Sequence, residues 1–212
     1  MMRGSGDVRE SLKNTGSLAL RLQAAIEGRR SAKTVTGGEM DALDALLTRR
    51  SVRRYTDRPV SDESISRLMH AAMSAPSARD QRPWRFIVVR DRALLGAVAA
   101  AEPNGSMIAH AQAAVIVCSD LRLVTSEGFW IQDCSAATEN LLIAAHAEGL
   151  GAVWVGTYPR EERVEGVREV FGLPPHIVPF AVVPLGYPVD SPPAASRFDP
   201  TRVYHDGYEE EA

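Results

Sequence analysis

From residue 40 onward, apolar and polar positions fall into blocks that predict a succession of helices and strands. Residues 40–50 place Leu43, Leu46 and Leu47 on one helical face. Ser61 before Asp62 and Glu63 is an N-cap followed by an acidic first turn. Ile65, Leu68, Met69, Ala72 and Met73 then recur at helical spacing until Pro76 stops the run. Residues 84–89 are short, β-branched and aromatic, which predicts a strand, and residues 92–101 return to helix. Residues 113–118 predict a second, buried strand. Residues 129–148 predict a long helix with apolar positions on nearly every face, ended by Gly149. Such a helix must be central or covered by another subunit. A third strand is expected over 152–156. An amphipathic helix follows over 159–171 through Val164, Val167, Val170 and Phe171, closed by Pro174 and Pro175; a fourth strand is expected over 178–185. Strands and helices mixed in this order predict an α+β fold, a sheet covered by helices.

The first 38 residues differ. They carry Gly, Ser and scattered Lys and Arg, with Asp7, Glu10 and Glu27 on the acidic side, and Leu18 to Ile26 form a short amphipathic stretch that predicts a helix. Residues 1–39 therefore read as a flexible basic leader or as an N-terminal docking arm, and residues 40–212 as the folded domain. The tail beyond Pro188 is rich in Pro and Ser and ends acidic.

At 212 residues and a net charge of -3, the chain offers no electrostatic reason to expect a nucleic-acid or membrane partner. The long helix at 129–148 contains Asp133, Glu139, Asn140 and His146, too polar a set to span a bilayer. Cys118 and Cys134 are the two cysteines, far apart in apolar surroundings, which favours buried thiols in a reducing compartment. With no continuous apolar stretch near the start, the expected location is the cytoplasm.

Several chemistries lack their residues. There is no GxxxxGK[ST] and no GxGxxG between a strand and a helix; Gly149-Leu150-Gly151 precedes a strand, the wrong order for a dinucleotide fingerprint. The five histidines show no zinc-binding spacing, and GxSxG does not occur. Asp57, Asp62 and Glu63 read as turn and cap residues. With no side chain standing out as nucleophile or acid–base centre, an enzymatic reading requires a cofactor that carries the reaction.

Two runs carry chemistry of their own. Arg49-Arg50-Ser51-Val52-Arg53-Arg54-Tyr55 places four arginines within six positions, directly after the first predicted helix. Cations favour a helix C-terminus, but four exceed what capping needs, so the run reads either as an anion site or as a solvated basic face. Residues 75–84, APSARDQRPW, form a helix end, a loop and a strand entry; on their own they are a turn.

Together, in this order and spacing, the two runs resemble the nitroreductase family, whose members carry R-R-S-x-R-x-[FY] and, some thirty residues on, P-S-x-x-N-x-Q-P-W. The resemblance continues through Phe129-Trp130-Ile131-Gln132-Asp133, residues 149–156 (GLGAVWVG), Leu185-Gly186-Tyr187-Pro188 and the tail at Arg197, covering roughly residues 43–208. It implies a nitroreductase-like α+β fold, with a central, mostly antiparallel sheet flanked by helices, in an interlocked homodimer with FMN at the subunit interface. By the same resemblance Arg49, Arg50 and Ser51 reach the flavin phosphate and ribityl chain, and Arg197 helps hold the phosphate. Arg53 lies near N1 and the C2 carbonyl, Val155 and Gly156 run beside the ring, and Pro76, Ser77 and Asp80 come from the partner subunit. The implied reaction passes hydride from NADH or NADPH through the flavin to a small-molecule electron acceptor (a nitroaromatic, quinone or activated alkene) in a ping-pong sequence. The short segments 104–112 and 124–128 are the walls expected to vary.

One departure bears on this reading: Asp80 stands where the pattern has Asn. Asn donates and accepts, whereas an ionised Asp only accepts. Asp80 either pairs with a neighbouring arginine or disfavours the reduced, anionic flavin. The second outcome would fit a protein that stores or senses FMN with little turnover.

Overall fold

The computed structural model describes residues 40–190, 192–193 and 196–208. The helix expected at 18–26, the leader at 1–39 and the acidic residues after 208 lie outside the described residues. Residues 40–195 form one compact unit, and the C-terminal stretch from Ser196 belongs to a second.

In the larger unit the helices are α1 (Ala42–Thr48), α2 (Asp62–Met73), α3 (Arg92–Ala101), α4 (Trp130–Ala147) and α5 (Glu161–Phe171). The strands are β1 (Trp84–Val89), β2 (Ala113–Asp120), β3 (Gly151–Ala152), β4 (Val155–Gly156) and β5 (Ile177–Gly186). Capping follows the sequence. Asp41, Ser61 and Asp91 accept from backbone N–H groups of the first turns of α1, α2 and α3. Gly149 follows α4 at φ 74.

All the strand pairs are antiparallel. The order is β1-β2-β5-β3, with β4 also on β5. β2 is buried along its whole length because both faces of the sheet are covered. On one face Val115, Val117, Val183 and Leu185 pack with Leu68 and Ala72 of α2 and Leu141 and Ala145 of α4. On the other, Ala114, Ile116 and Val182 pack with Leu95 and Val98 of α3 and Val167 of α5. The α+β sheet flanked by helices is thus the observed architecture.

Two sequence expectations need correction. The strand expected at 152–156 is two short pieces, β3 and β4. Between them Val153 turns into the α3/α5 core, and Trp154 packs edge-on to Phe180 at 5.6 Å. The helix expected over 159–171 ends at Phe171 as expected but starts two residues later, at Glu161, and it is Gly172 in the left-handed region (φ 60), not Pro174, that closes it. The apolar positions of the first two helices are partly open: Leu43, Leu46, Leu47 and Met73 are 46–60% exposed. Among the described residues no helix is long and apolar enough to cross a membrane, and Cys118 and Cys134 are free, buried thiols.

Candidate functional site

The arginine run forms an extended strip laid along the β3 end of the sheet. Ser51 bridges Ala152 in parallel, and the Val52 N–H donates to the Ala152 carbonyl at 2.9 Å. Further on, Tyr55 bridges Pro188, and the Thr56 N–H reaches the Tyr187 carbonyl at 2.8 Å. Two glycines paired across β3 and β5 admit this strip. A Cβ on Gly151 would stand 2.6 Å from Val52 Cγ1, and one on Gly186 would stand 2.8 Å from Tyr55 Cβ. The Tyr55 hydroxyl closes the attachment by donating to the Val52 carbonyl at 2.8 Å. Its burial pushes the phenol well above its ordinary range, so it remains a donor.

Val52 is the buried residue of the strip, which leaves the flanking polar groups at the surface. Arg49 pairs with Glu139 of α4 (3.2 Å), and Arg50 donates to the carbonyls of Arg49 (2.6 Å) and Pro193 (3.1 Å). Arg54 pairs with Asp190 at 2.9 Å. Arg53 is exposed, and among the described residues its guanidinium makes no side-chain hydrogen bond or ion pair. It lines an open groove of about 580 Å³ together with Arg54, Arg92, His110 and Gln112. Thr48 and His146 lie within 2.8 Å of each other next to this cluster. Burial first, then Arg49 and Arg50, holds the His146 imidazole below its ordinary pKa.

Val155 and Gly156 form β4 at the same margin of the sheet, three residues beyond the Ser51–Ala152 bridge. Gly156 is exposed, and nothing lies within 4 Å of where a side chain would begin, so the backbone there presents an open face. The strip and β4 thus lie along the same margin of the sheet.

Pro76, Ser77 and Asp80 sit elsewhere, in a loop tied to the first turn of α4. Asp133, nearly buried, accepts from the Ala78 N–H (2.9 Å) and from Gln81 Nε2 (2.5 Å). Gln81 Oε1 accepts in turn from the N–H groups of Thr125 and Ser126, both at 3.0 Å. The Ser77 hydroxyl accepts from the Arg82 N–H at 3.1 Å. Arg79, Asp80 and Arg82 all have positive φ, a cluster of strained non-glycine residues that the anchors hold in place. Asp80 is gripped by Arg82 through two hydrogen bonds, Nε to Oδ1 at 2.6 Å and Nη2 to Oδ2 at 2.5 Å. The Arg82 guanidinium holds the Asp80 carboxyl below the usual carboxylate range. Arg197 lies in the C-terminal unit and is exposed.

Sequence reasoning missed the role of Asp133 and the reason for two glycines. Asp133 anchors the loop, yet within the run that carries it nothing marks it from an ordinary first-turn acid. Arg82, which stands where the P-S-x-x-N-x-Q-P-W pattern has Gln, is the neighbouring arginine that pairs with Asp80. Gly151 and Gly186 were legible as glycines within shared runs, but their reason is the close approach of Val52 and Tyr55.

Comparison with known proteins points in one direction. The sequence profile of the Nitroreductase family matches residues 46–127 and 102–187. A Methanothermobacter thermautotrophicus protein provisionally named NADH dehydrogenase/NAD(P)H nitroreductase is 52% identical over 166 residues, covering 78% of this chain and 87% of that protein. A crystal structure of a Parabacteroides distasonis protein with the same provisional name is 44% identical at a TM-score of 0.76, covering 80% of this chain and 100% of the other. A Desulfovibrio desulfuricans protein, provisionally a nitroreductase and solved in complex with FMN, is 30% identical at a TM-score of 0.70, covering 81% and 100%.

Proposed function

Because the chain belongs to the nitroreductase family, we propose that it is an NAD(P)H-dependent FMN oxidoreductase that delivers electrons to a nitroaromatic, quinone or activated alkene. The observation that carries this reading is the arginine strip held against β3, with Arg53 exposed on it and the open backbone face of Gly156 on the same margin of the sheet.

The residues suit FMN. Each guanidinium has five N–H donors in a fixed fork, so Arg49 and Arg50 can keep their present partners and still donate to a phosphate. Ser51 adds a hydroxyl for the ribityl chain, and Arg197 a further cation. The open face at Gly156 accepts a flat ring without a side chain in the way. Arg53 supplies fixed positive charge where a reduced flavin carries negative charge, at N1 and the C2 carbonyl. The chemistry that bound FMN supplies is a two-electron exchange between reduced nicotinamide and an oxidant. The protein's share is to hold each reactant in turn over one face, which is the basis of a ping-pong sequence and needs no dedicated acid.

We place the site at the interface of a homodimer, with Pro76, Ser77 and Asp80 reaching it from the other protomer and the 196–208 segment embracing that protomer. The exposed Leu43, Leu46 and Leu47 of α1 are an apolar face of the kind a second subunit covers. The enclosing domain is residues 40–212, residues 1–39 being a leader or arm outside the catalytic fold, and the free thiols suit the cytoplasm. The Asp80–Arg82 pair argues against the storage or sensing alternative, because the carboxylate's charge is neutralised within its own loop.

Purified protein should be yellow, release about one FMN per chain on denaturation, and oxidise NADH or NADPH with menadione or a nitrofuran as acceptor. A colourless protein that takes up no added FMN would overturn the assignment. A yellow protein without turnover would leave the storage alternative standing in its place.

A further inference from the structure

Beneath β4 lies a cluster that none of the proposed binding residues accounts for. Glu102, at the end of α3, is fully buried. Its Oε1 accepts from the Thr157 hydroxyl at 2.5 Å, and Thr157 is itself buried next to Gly156. Its Oε2 has no hydrogen-bond partner and lies 3.7 Å from Arg163 Nη1 of α5. The same Nη1 donates to the Gly156 carbonyl at 3.0 Å, while Arg163 Nε is buried and unpartnered. One nitrogen thus stands between a buried carboxylate and the backbone of β4.

We propose that Glu102, Thr157 and Arg163 are positioning residues: a buried strut that fixes the Gly156 backbone and sets the charge behind it, and so the reduction potential of the bound flavin. The inference rests on the reading that β4 lies beside the flavin ring. Buried ion pairs are often no more stabilising than apolar residues of similar volume, so folding alone does not account for two under-satisfied buried charges. In a site poor in water they act with little screening. Arg163, clamped on the Gly156 carbonyl, favours added electrons on a ring lying against that backbone, and the Glu102 carboxylate offsets it. Burial raises the Glu102 pKa, while the Thr157 hydrogen bond and Arg163 pull it back.

The two charges predict shifts of opposite sign. Glu102→Gln keeps an acceptor for Thr157 and removes the negative charge. The flavin midpoint potential should rise, equivalent to about tenfold tighter relative binding of reduced FMN. Arg163→Met should lower it by a similar factor. Arg163→Lys keeps the charge but loses the reach to Gly156, so it should hold the potential while weakening FMN binding, and it serves if Arg163→Met does not fold. Potentials would be measured by anaerobic dye equilibration at about pH 8, above the ordinary carboxylate range. FMN affinity would be read from flavin fluorescence, and apo-protein melting would verify folding. Opposite shifts support the strut. Shifts of one sign, or none, in Glu102→Gln and Arg163→Met variants that fold and bind FMN overturn it, and so does Arg163→Lys if it shifts the potential or binds FMN as tightly as wild type. A wild-type protein that binds no FMN overturns the functional reading itself, which separates the two failures.

Discussion

Gly151→Ala tests whether the arginine strip depends on its seat against β3. The added methyl would lie 2.6 Å from Val52 Cγ1 and 2.8 Å from Val52 Cβ, where carbon atoms in contact prefer about 3.5–4.0 Å. Something must therefore move by about 1 Å. The Gly151 backbone is held by β5 through its register with Gly186, so the strip is the part free to yield. Lifting it weakens the Val52 N–H to Ala152 carbonyl bond (2.9 Å) and the Ser51 bridge. Overpacking costs about 1–3 kcal/mol, and a weakened backbone hydrogen bond about 1 more. For a domain of this size each kcal/mol lowers Tm by about 2–4 °C, so a loss of roughly 5–15 °C is expected. Because Ser51 and Arg53 move with the strip, FMN affinity should fall by at least about tenfold, the equivalent of ~1.4 kcal/mol. Thermal melts and fluorescence titration with FMN measure both. Val52→Ala in the same chain removes Cγ1 and Cγ2 but leaves Cβ 2.8 Å from the added methyl, so it should restore only part of the affinity. Unchanged FMN binding in Gly151→Ala would refute the reasoning.

Three further perturbations follow from the loop and the cluster beside the strip. Asp133→Asn turns one carboxylate oxygen into a donor facing either the Ala78 N–H or Gln81 Nε2; the loop at 76–83 should lose about 1–3 kcal/mol and become sensitive to limited proteolysis, and resistance equal to wild type would count against the anchor. Asp80→Asn removes the charge that Arg82 already neutralises, so flavin occupancy should stay within a few-fold in a titration; a large gain in affinity would show that the carboxylate repels the cofactor. His146 is held neutral in the fold, its pKa lowered by burial and by Arg49 and Arg50. Its contribution to stability is complete above the unfolded value of about 6.5 and is lost as pH falls below it, so urea unfolding between about pH 7 and 5.5 should show a slope that His146→Gln flattens.

Local signals were legible in the sequence wherever they were complete within a few residues. Ser61 caps α2 as its chemistry requires, and α3 runs over Arg92–Ala101 as the periodicity indicates. The all-round apolar helix became α4, central because it packs under β2 and β5 while also carrying Asp133 and Glu139 to the two halves of the candidate site. What stayed hidden depends on partners distant in the chain. The run at 49–55 read as an anion site or a solvated basic face and not as a strip on the sheet, since a segment that borrows its hydrogen bonds from Ala152 and Tyr187 has no period of its own. The strand at 152–156 looked continuous because Val153 and Trp154 are as apolar as their neighbours, although they point into different packing environments. Leu43, Leu46 and Leu47 had the right pattern, but periodicity marks a face that must be covered without saying whether the cover is the chain's own core or a second subunit.

The loop at 76–83 shows why a departure from a family pattern has to be judged with its neighbours. Taken singly, Asp80 removes a donor and adds a charge beside the expected cofactor. Arg82 adds a second charge where the pattern has an amide. In the structure they meet, two residues apart, through a two-point hydrogen bond that the positive-φ backbone of Arg79, Asp80 and Arg82 brings into register. The pair is exposed, so it contributes little to stability. Its consequence is local: the carboxylate is spoken for, and the loop's net charge is close to that of the Asn and Gln it replaces, apart from Arg79. The backbone anchors, Asp133 on the Ala78 N–H and Ser77 on the Arg82 N–H, do not involve either side chain. The loop's path is therefore set independently of the substituted pair, so the Asp80 departure is expected to leave FMN binding intact, which the Asp80→Asn titration tests.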